Sequence, residues 1–166
     1  MAQKQTGKIK AGMGALIGNA GEYYVMAELL KRHVIAGLAP RNAPGFDILA
    51  VYLEKNALIR VKTKTEGYDV WQWQAKKDRS IFRDLKGSGD FTILVNLANN
   101  VRDVRYFVLP TIILSQWLQN VFDEWVSTPG VKGQPHNPEN KKRTLSYKNY
   151  EKELEPFENN WGILWE

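Results

Sequence analysis

Two charged residues stand where a folded chain tolerates charge only if it is paired or coordinated. Asp47 opens the apolar run Ile48 to Leu53, and Lys62 lies in the middle of the next run, Ala57 to Lys64. Each is a desolvation cost that ion pairing or coordination must offset, and that cost points to a site. The first run is almost wholly apolar after its aspartate, as expected of a strand covered on both faces. The second alternates: Leu58, Arg60, Lys62 and Lys64 fall on one face, Ile59, Val61 and Thr63 on the other. Glu54-Lys55-Asn56 reads as the turn between them.

A helix over Ala20 to His33 supplies a third candidate. Asn19 suits an N-cap and Glu22 stands at capping-box distance from it. Val25, Met26, Leu29 and Leu30 follow Glu22 at helical spacing, which puts Glu22 at the top of the core-facing stripe. Glu22 is therefore either a capping carboxylate or a group facing the sheet. His33 extends the stripe as a packing residue. Val34 to Gly45, with Gly37, Pro40 and Pro44, reads as a loop in which Arg41 and Asn42 either reach a phosphate or have no role.

Beyond Lys64, Trp71 and Trp73 share one face of an extended segment that precedes Lys76, Lys77, Arg79, Arg83 and Lys86. Aromatics beside a basic run can stack on bases while the cations follow phosphates. Core packing of both tryptophans, with the cations as a solvated face, is the simpler reading. Phe91 to Leu97 and Val104 to Leu109 read as strands joined at Ala98-Asn99-Asn100, and Pro110 starts a helix running to Val126. Its stripe, Leu114, Trp117, Leu118, Val121, Phe122 and Trp125, suits core packing, a dimer or a partner surface. Ser127 to Asn140 is proline- and glycine-rich and irregular. A basic run, Lys141 to Arg143, leads into a tail whose end, Trp161 to Trp165, must fold back to shelter its tryptophans.

The chain has 166 residues, a net charge of +5 and no cysteine. That size gives one sizeable core, and the charge favours a polyanionic partner. Disulfides and thiolate metal sites are excluded, and two histidines make a histidine-rich zinc centre improbable. Residues 1–17 read as a loose basic arm and 18–166 as one domain. No apolar run suits a membrane span or signal peptide, so the expected location is the cytoplasm.

The order of helix, strand opening with Asp, strand bearing Val-Lys, further strands and a helix resembles the PD-(D/E)xK nuclease superfamily, with its restriction-endonuclease-like fold. Archaeal Holliday junction resolvases are the most familiar members it resembles. The likeness spans Gly18 to Trp125 and rests on Gly21-Glu22, Gly45-Phe46-Asp47 and Ile59-Arg60-Val61-Lys62. It implies one α/β domain, a mixed central sheet flanked by helices, with Asp47 and Lys62 on adjacent strands. It also implies Mg2+ or Mn2+ on Glu22, Asp47 and the Val61 carbonyl, with Lys62 as the catalytic lysine acting on water. DNA would be the partner, held by Arg60, Lys64, Arg41, Lys76, Lys77 and Arg79, and a homodimer would suit two-stranded cuts.

One position departs from the pattern. Where the family places Glu or Gln, two residues before the lysine, this chain has Arg60, a permanent cation without an acceptor. At roughly 4 Å it would repel a divalent ion by a few kcal/mol. Either Arg60 turns aside, or a carboxylate has migrated, with Glu66 and Glu54 as candidates, or the metal is lost. Three functions follow: a metal-dependent DNA nuclease, a non-catalytic nucleic-acid-binding module of the same fold, or a protein–protein component.

Overall fold

The computed structural model describes residues 13–40, 43, 45–82, 85 and 89–166. A long helix, α1 (Gly14–Lys31), is followed by three strands in antiparallel succession, β1 (Ile35–Leu38), β2 (Ile48–Tyr52) and β3 (Lys55–Thr65). After β4 (Val70–Gln74) come β5 (Asp90–Leu97) and β6 (Arg105–Pro110), then α2 (Thr111–Ser127), β7 (Lys142–Ser146) and the short α3 (Glu151–Leu154). The main sheet runs β1-β2-β3-β5-β6, with β3 and β5 parallel and the other neighbours antiparallel. β4 and β7 form a separate two-stranded antiparallel sheet. The fold is thus α/β, a mixed central sheet flanked by helices; Lys62 lies on β3, while Asp47 stands one residue before its neighbour β2 rather than on that strand. Among the described residues no helix is long and apolar enough to cross a membrane.

β3 is the axis, because both its faces are covered by different layers. Ala57 and Ile59 point into the core beneath α1, where Val25, Leu29, Ile48, Ile93 and Val108 meet them. α1 lies unusually close there. A Cβ placed on Gly21 would fall 1.8 Å from Thr63 Oγ1 and 2.9 Å from Thr63 Cβ, so the helix backbone rests directly on the strand. The short 3-10 helix Trp161–Trp165 closes the same face, with Trp161 against Tyr106 and Trp165 against Tyr52. The tail folds back as its composition requires.

The opposite face of β3 carries Arg60, Lys62 and Lys64, and the β4–β7 sheet with α2 covers its farther part. Trp71, Phe107, Leu109, Leu114, Leu118 and Leu145 form that second core. The α2 stripe is consumed there: Leu114, Leu118 and Phe122 are buried, and Trp117 packs on Tyr150 and Phe157. Lys64 is shut inside, only 4% exposed, donating to the Tyr68 carbonyl at 2.8 Å and Asn96 Oδ1 at 3.0 Å. Its ammonium also lies over the Trp71 and Tyr147 rings.

Several expectations are corrected. α1 starts at Gly14, so residues 14–17 belong to a helix rather than a loose arm, and Asn19 and Glu22 are interior to it rather than caps. The buried stripe is Gly21, Val25 and Leu29; Leu30 is exposed, and exposed His33 follows the helix in a left-handed conformation. Ile35–Leu38 is an edge strand, not loop. β2 is covered on one face only, since Leu49 is exposed where no layer lies above it. The β2–β3 turn is Leu53-Glu54, as the pairing of Tyr52 with Lys55 requires. The run Lys141 to Arg143 enters β7, and Arg143 turns inward over Phe122.

Two predictions follow from this packing. Gly21→Ala is expected to cost about 1–3 kcal/mol by forcing α1 off β3, whereas Gly18→Ala, whose Cβ meets nothing within 4 Å, should stabilise the helix by about 0.5–1 kcal/mol. Urea unfolding of both variants checks the contrast. Burial holds Lys64 down to about 8, against 10.5 in an unfolded chain, with Asp69 partly opposing the shift. Between those values the folded state binds fewer protons than the unfolded one, so stability contributed by Lys64 rises with pH across that window. Between pH 7.5 and 9.5 the wild type should gain roughly 2 kcal/mol relative to Lys64→Met. Equal pH slopes for the two proteins would refute the burial account of Lys64.

Candidate active site

β2 begins one residue after Asp47, while β3 runs on past it, and this step leaves β3 backbone groups without a strand partner. Asp47 fills the gap. Its backbone N–H donates to the Ile59 carbonyl at 2.9 Å, and its Oδ2 accepts from the Val61 N–H at 2.8 Å. The carboxylate is therefore fixed by the ladder itself. Because N–H and C=O of one strand residue point to the same side, the Val61 carbonyl faces the edge that holds this carboxylate. The Asp that opens the apolar run is paired, and one oxygen is engaged through a backbone donor.

Glu22 reaches the same edge from α1, one residue beyond the glycine that rests on Thr63. Burial, and behind it the negative charge of Asp47, raises the Glu22 carboxyl above its ordinary range. The two carboxylates thus sense each other. They line a cleft of about 360 Å3 with Ala15, Asn19 and Pro40. Asp47 and Phe46 also line a second cleft of about 380 Å3 on the far side, with Arg60, Lys62, Trp73 and Phe82. Asp47 is the partition between an acidic cleft under α1 and a basic, aromatic cleft under β4.

Lys62 stands in the second cleft, its ammonium 5.5 Å from the centre of the Trp73 ring. Burial lowers its pKa while the Asp47 charge acts the other way. Arg60 has turned toward β5: its guanidinium pairs with Asp90, which is buried at the head of that strand, and lies over Phe82. Burial lowers the Arg60 pKa and Asp47 partly restores it. Gly45 lies beside Arg60. It has φ +96, and a Cβ there would sit 3.7 Å from Arg60 Nη2.

The remaining candidates disperse. Lys76 lines the basic cleft, Lys77 is exposed, and exposed Arg79 pairs with Glu139 at 2.5 Å. Lys64 is buried beneath the β4–β7 sheet rather than offered to a phosphate. Arg41, Asn42, Arg83 and Lys86 lie outside the described residues. Neither migrated carboxylate reaches the site: Glu54 is in the β2–β3 turn, and exposed Glu66 follows β3 and contacts Asn99. Trp71 is core, donating its indole N–H to the Val95 carbonyl at 3.1 Å, while half-buried Trp73 faces the cleft.

Asp90 and Phe82 are the members that sequence reading missed. Asp90 carries the same signal as Asp47, an aspartate heading an apolar strand, Phe91 to Leu97. Phe82 has no such mark, since its loop position shows nothing of the ring over Arg60. Among the described residues no three His, Cys, Asp or Glu side chains cluster as a closed metal cage. Glu22, Asp47 and the Val61 carbonyl are nonetheless hard oxygen donors of the kind Mg2+ accepts. That ion commonly takes one or two carboxylates and keeps several waters.

No family model matches the sequence, and the search of curated proteins found no match. Among solved structures the chain is similar to a bacterial homing endonuclease, at 14% identity and a TM-score of 0.42, over 60% of this chain and 66% of that one. The aligned part thus falls just short of two thirds of that endonuclease's own length. It is also similar to Hjc of Archaeoglobus fulgidus, a Holliday junction resolvase from an archaeal hyperthermophile, at 14% identity and a TM-score of 0.44. That likeness extends over 81% of this chain and 87% of that one.

Proposed function

We propose that this protein is a divalent-metal-dependent nuclease that hydrolyses DNA phosphodiester bonds. The observation that supports the reading is the ion pair of Arg60 with Asp90, beside a cleft that Glu22 and Asp47 line together and next to the Asp47 bond to the Val61 N–H. The cation that should spoil a metal site is thereby neutralised by a neighbour rather than left facing the carboxylates.

In this reading Glu22, Asp47 and the Val61 carbonyl hold Mg2+ or Mn2+, which when bound polarises a phosphoryl oxygen and lowers the pKa of water. Asp47 is kept in place by its Val61 bond, so its free oxygen is oriented before substrate arrives. The lysine's depressed pKa makes its proton easier to give up than that of an exposed lysine. Its ammonium, close to Asp47, also stabilises charge that develops on the phosphate. Lys62 and Lys76 line the same cleft and place positive charge along a polyanion. The net charge of +5 agrees with that partner.

The non-catalytic binding module is the second reading, favoured by the same Arg60: a cation at the position where the family has a ligand. Calorimetric titration of Mg2+ and Mn2+ separates the two. We expect binding to the wild type that is lost in Asp47→Asn, and DNA cleavage that falls at least about a hundredfold in Asp47→Asn and Lys62→Ala. Salt-sensitive DNA binding without metal uptake or cleavage would leave the binding module. The α2 stripe and the tail tryptophans, proposed surfaces for a protein partner, are largely spent on the core.

A further inference from the structure

The basic cleft holds more than a phosphate needs. A backbone-binding groove requires cations and hydrogen-bond donors, yet Phe46, Trp73, Ile81 and Phe82 line the cleft together with Arg60, Lys62 and Lys76. All four apolar side chains are only partly buried. Trp73 and Phe82 meet nearly at right angles, with centroids 6.5 Å apart, and so form a fixed corner. The cleft, at about 380 Å3, lies within the size class of small-molecule pockets. Its lining also holds Asp47 and Lys62.

We infer that this aromatic corner receives the base of an unpaired nucleotide while its phosphate lies at Asp47 and Lys62. The argument is geometric. In a duplex the bases are stacked and cannot enter a concave pocket, so only a nucleotide that is single-stranded or extruded can fill it. Aromatic faces accept any base by stacking, while Lys76 in the same lining holds the adjoining backbone. The preferred substrate is thus nucleic acid with an unpaired nucleotide at the scissile position, not continuous duplex. This inference rests on the nuclease reading, in which phosphate binds at Asp47 and Lys62, and it deepens that reading by naming a substrate class.

The test uses the full chain in EDTA, so that binding is read without cleavage. The probes are a continuous duplex containing 2-aminopurine and the same duplex with 2-aminopurine in a single-nucleotide bulge. The wild type should bind the bulged duplex about tenfold tighter and change the probe's emission on stacking. Trp73→Ala should abolish the preference, Phe82→Leu should reduce it, and Trp73→Phe should keep most of it. Equal affinity of the wild type for both probes would overturn the inference. So would a preference untouched in both Trp73→Ala and Phe82→Leu, whose folding is checked by circular dichroism. Cleavage assays of Asp47→Asn and Lys62→Ala are run beside these. Cleavage that depends on Asp47 without a bulge preference sinks the base pocket alone. A Trp73-dependent preference with cleavage indifferent to Asp47 and Lys62 sinks the catalytic reading and leaves the pocket.

Discussion

Three cations on one face of one strand set the terms for the rest of this molecule. Arg60, Lys62 and Lys64 follow each other at about 6.6 Å, two residues of strand rise, on a face the β4–β7 sheet partly closes over. Each charge is met by a different device. Asp90 and Phe82 take Arg60, Trp73 and the nearby Asp47 charge take Lys62, and Lys64 has a carbonyl, an amide oxygen and two rings. The aromatic lining of the β4–β7 layer is thus tied to charge compensation as much as to apolar burial. Without it this face could not be covered at tolerable cost.

On the other face the requirement is proximity. Helix backbone lies directly on Thr63, which only a glycine at position 21 permits, and the next residue is the carboxylate of the site. The short β2 complements this. Had it begun two residues earlier, a backbone carbonyl rather than a side chain would have met the Val61 N–H, and the edge would have been sealed. The same two features, a glycine contact and a strand that stops short, bring Glu22 and Asp47 from elements distant in sequence to a common edge.

The parts of this arrangement carried by periodicity were legible in the chain. The alternation in β3 and the α2 stripe report burial at a fixed repeat, and the apolar runs mark β2 and β5 as strands, although the β2 run overstates its burial. The start of α1 was not legible, because Asn19 and Glu22 mimic a capping box while Gly14 and Gly18, poor helix formers, bracket the turn before them. β1 was hidden because Gly37 and the neighbouring prolines signal a loop, and an edge strand has only one neighbour to specify it. Pairing between distant segments, Arg60 with Asp90 or Val70–Gln74 with Lys142–Ser146, leaves no local mark at all.

In the nuclease reading proposed above, the Arg60–Asp90 pair accounts for a cation at the position where the resembled family has a ligand. Replacing Glu or Gln by Arg both removes an acceptor and adds a positive charge, and the two effects have different remedies. Asp90 answers the second by neutralising the guanidinium through a buried contact that draws it toward β5. It leaves the first unanswered, since an aspartate committed to Arg60 cannot also hold an ion at the Asp47 edge. A cation there would have fewer protein oxygens and more waters, a state Mg2+ tolerates well because it gives up its hydration reluctantly. Affinity would then depend on what the substrate phosphate adds, so metal and nucleic acid would bind most tightly together.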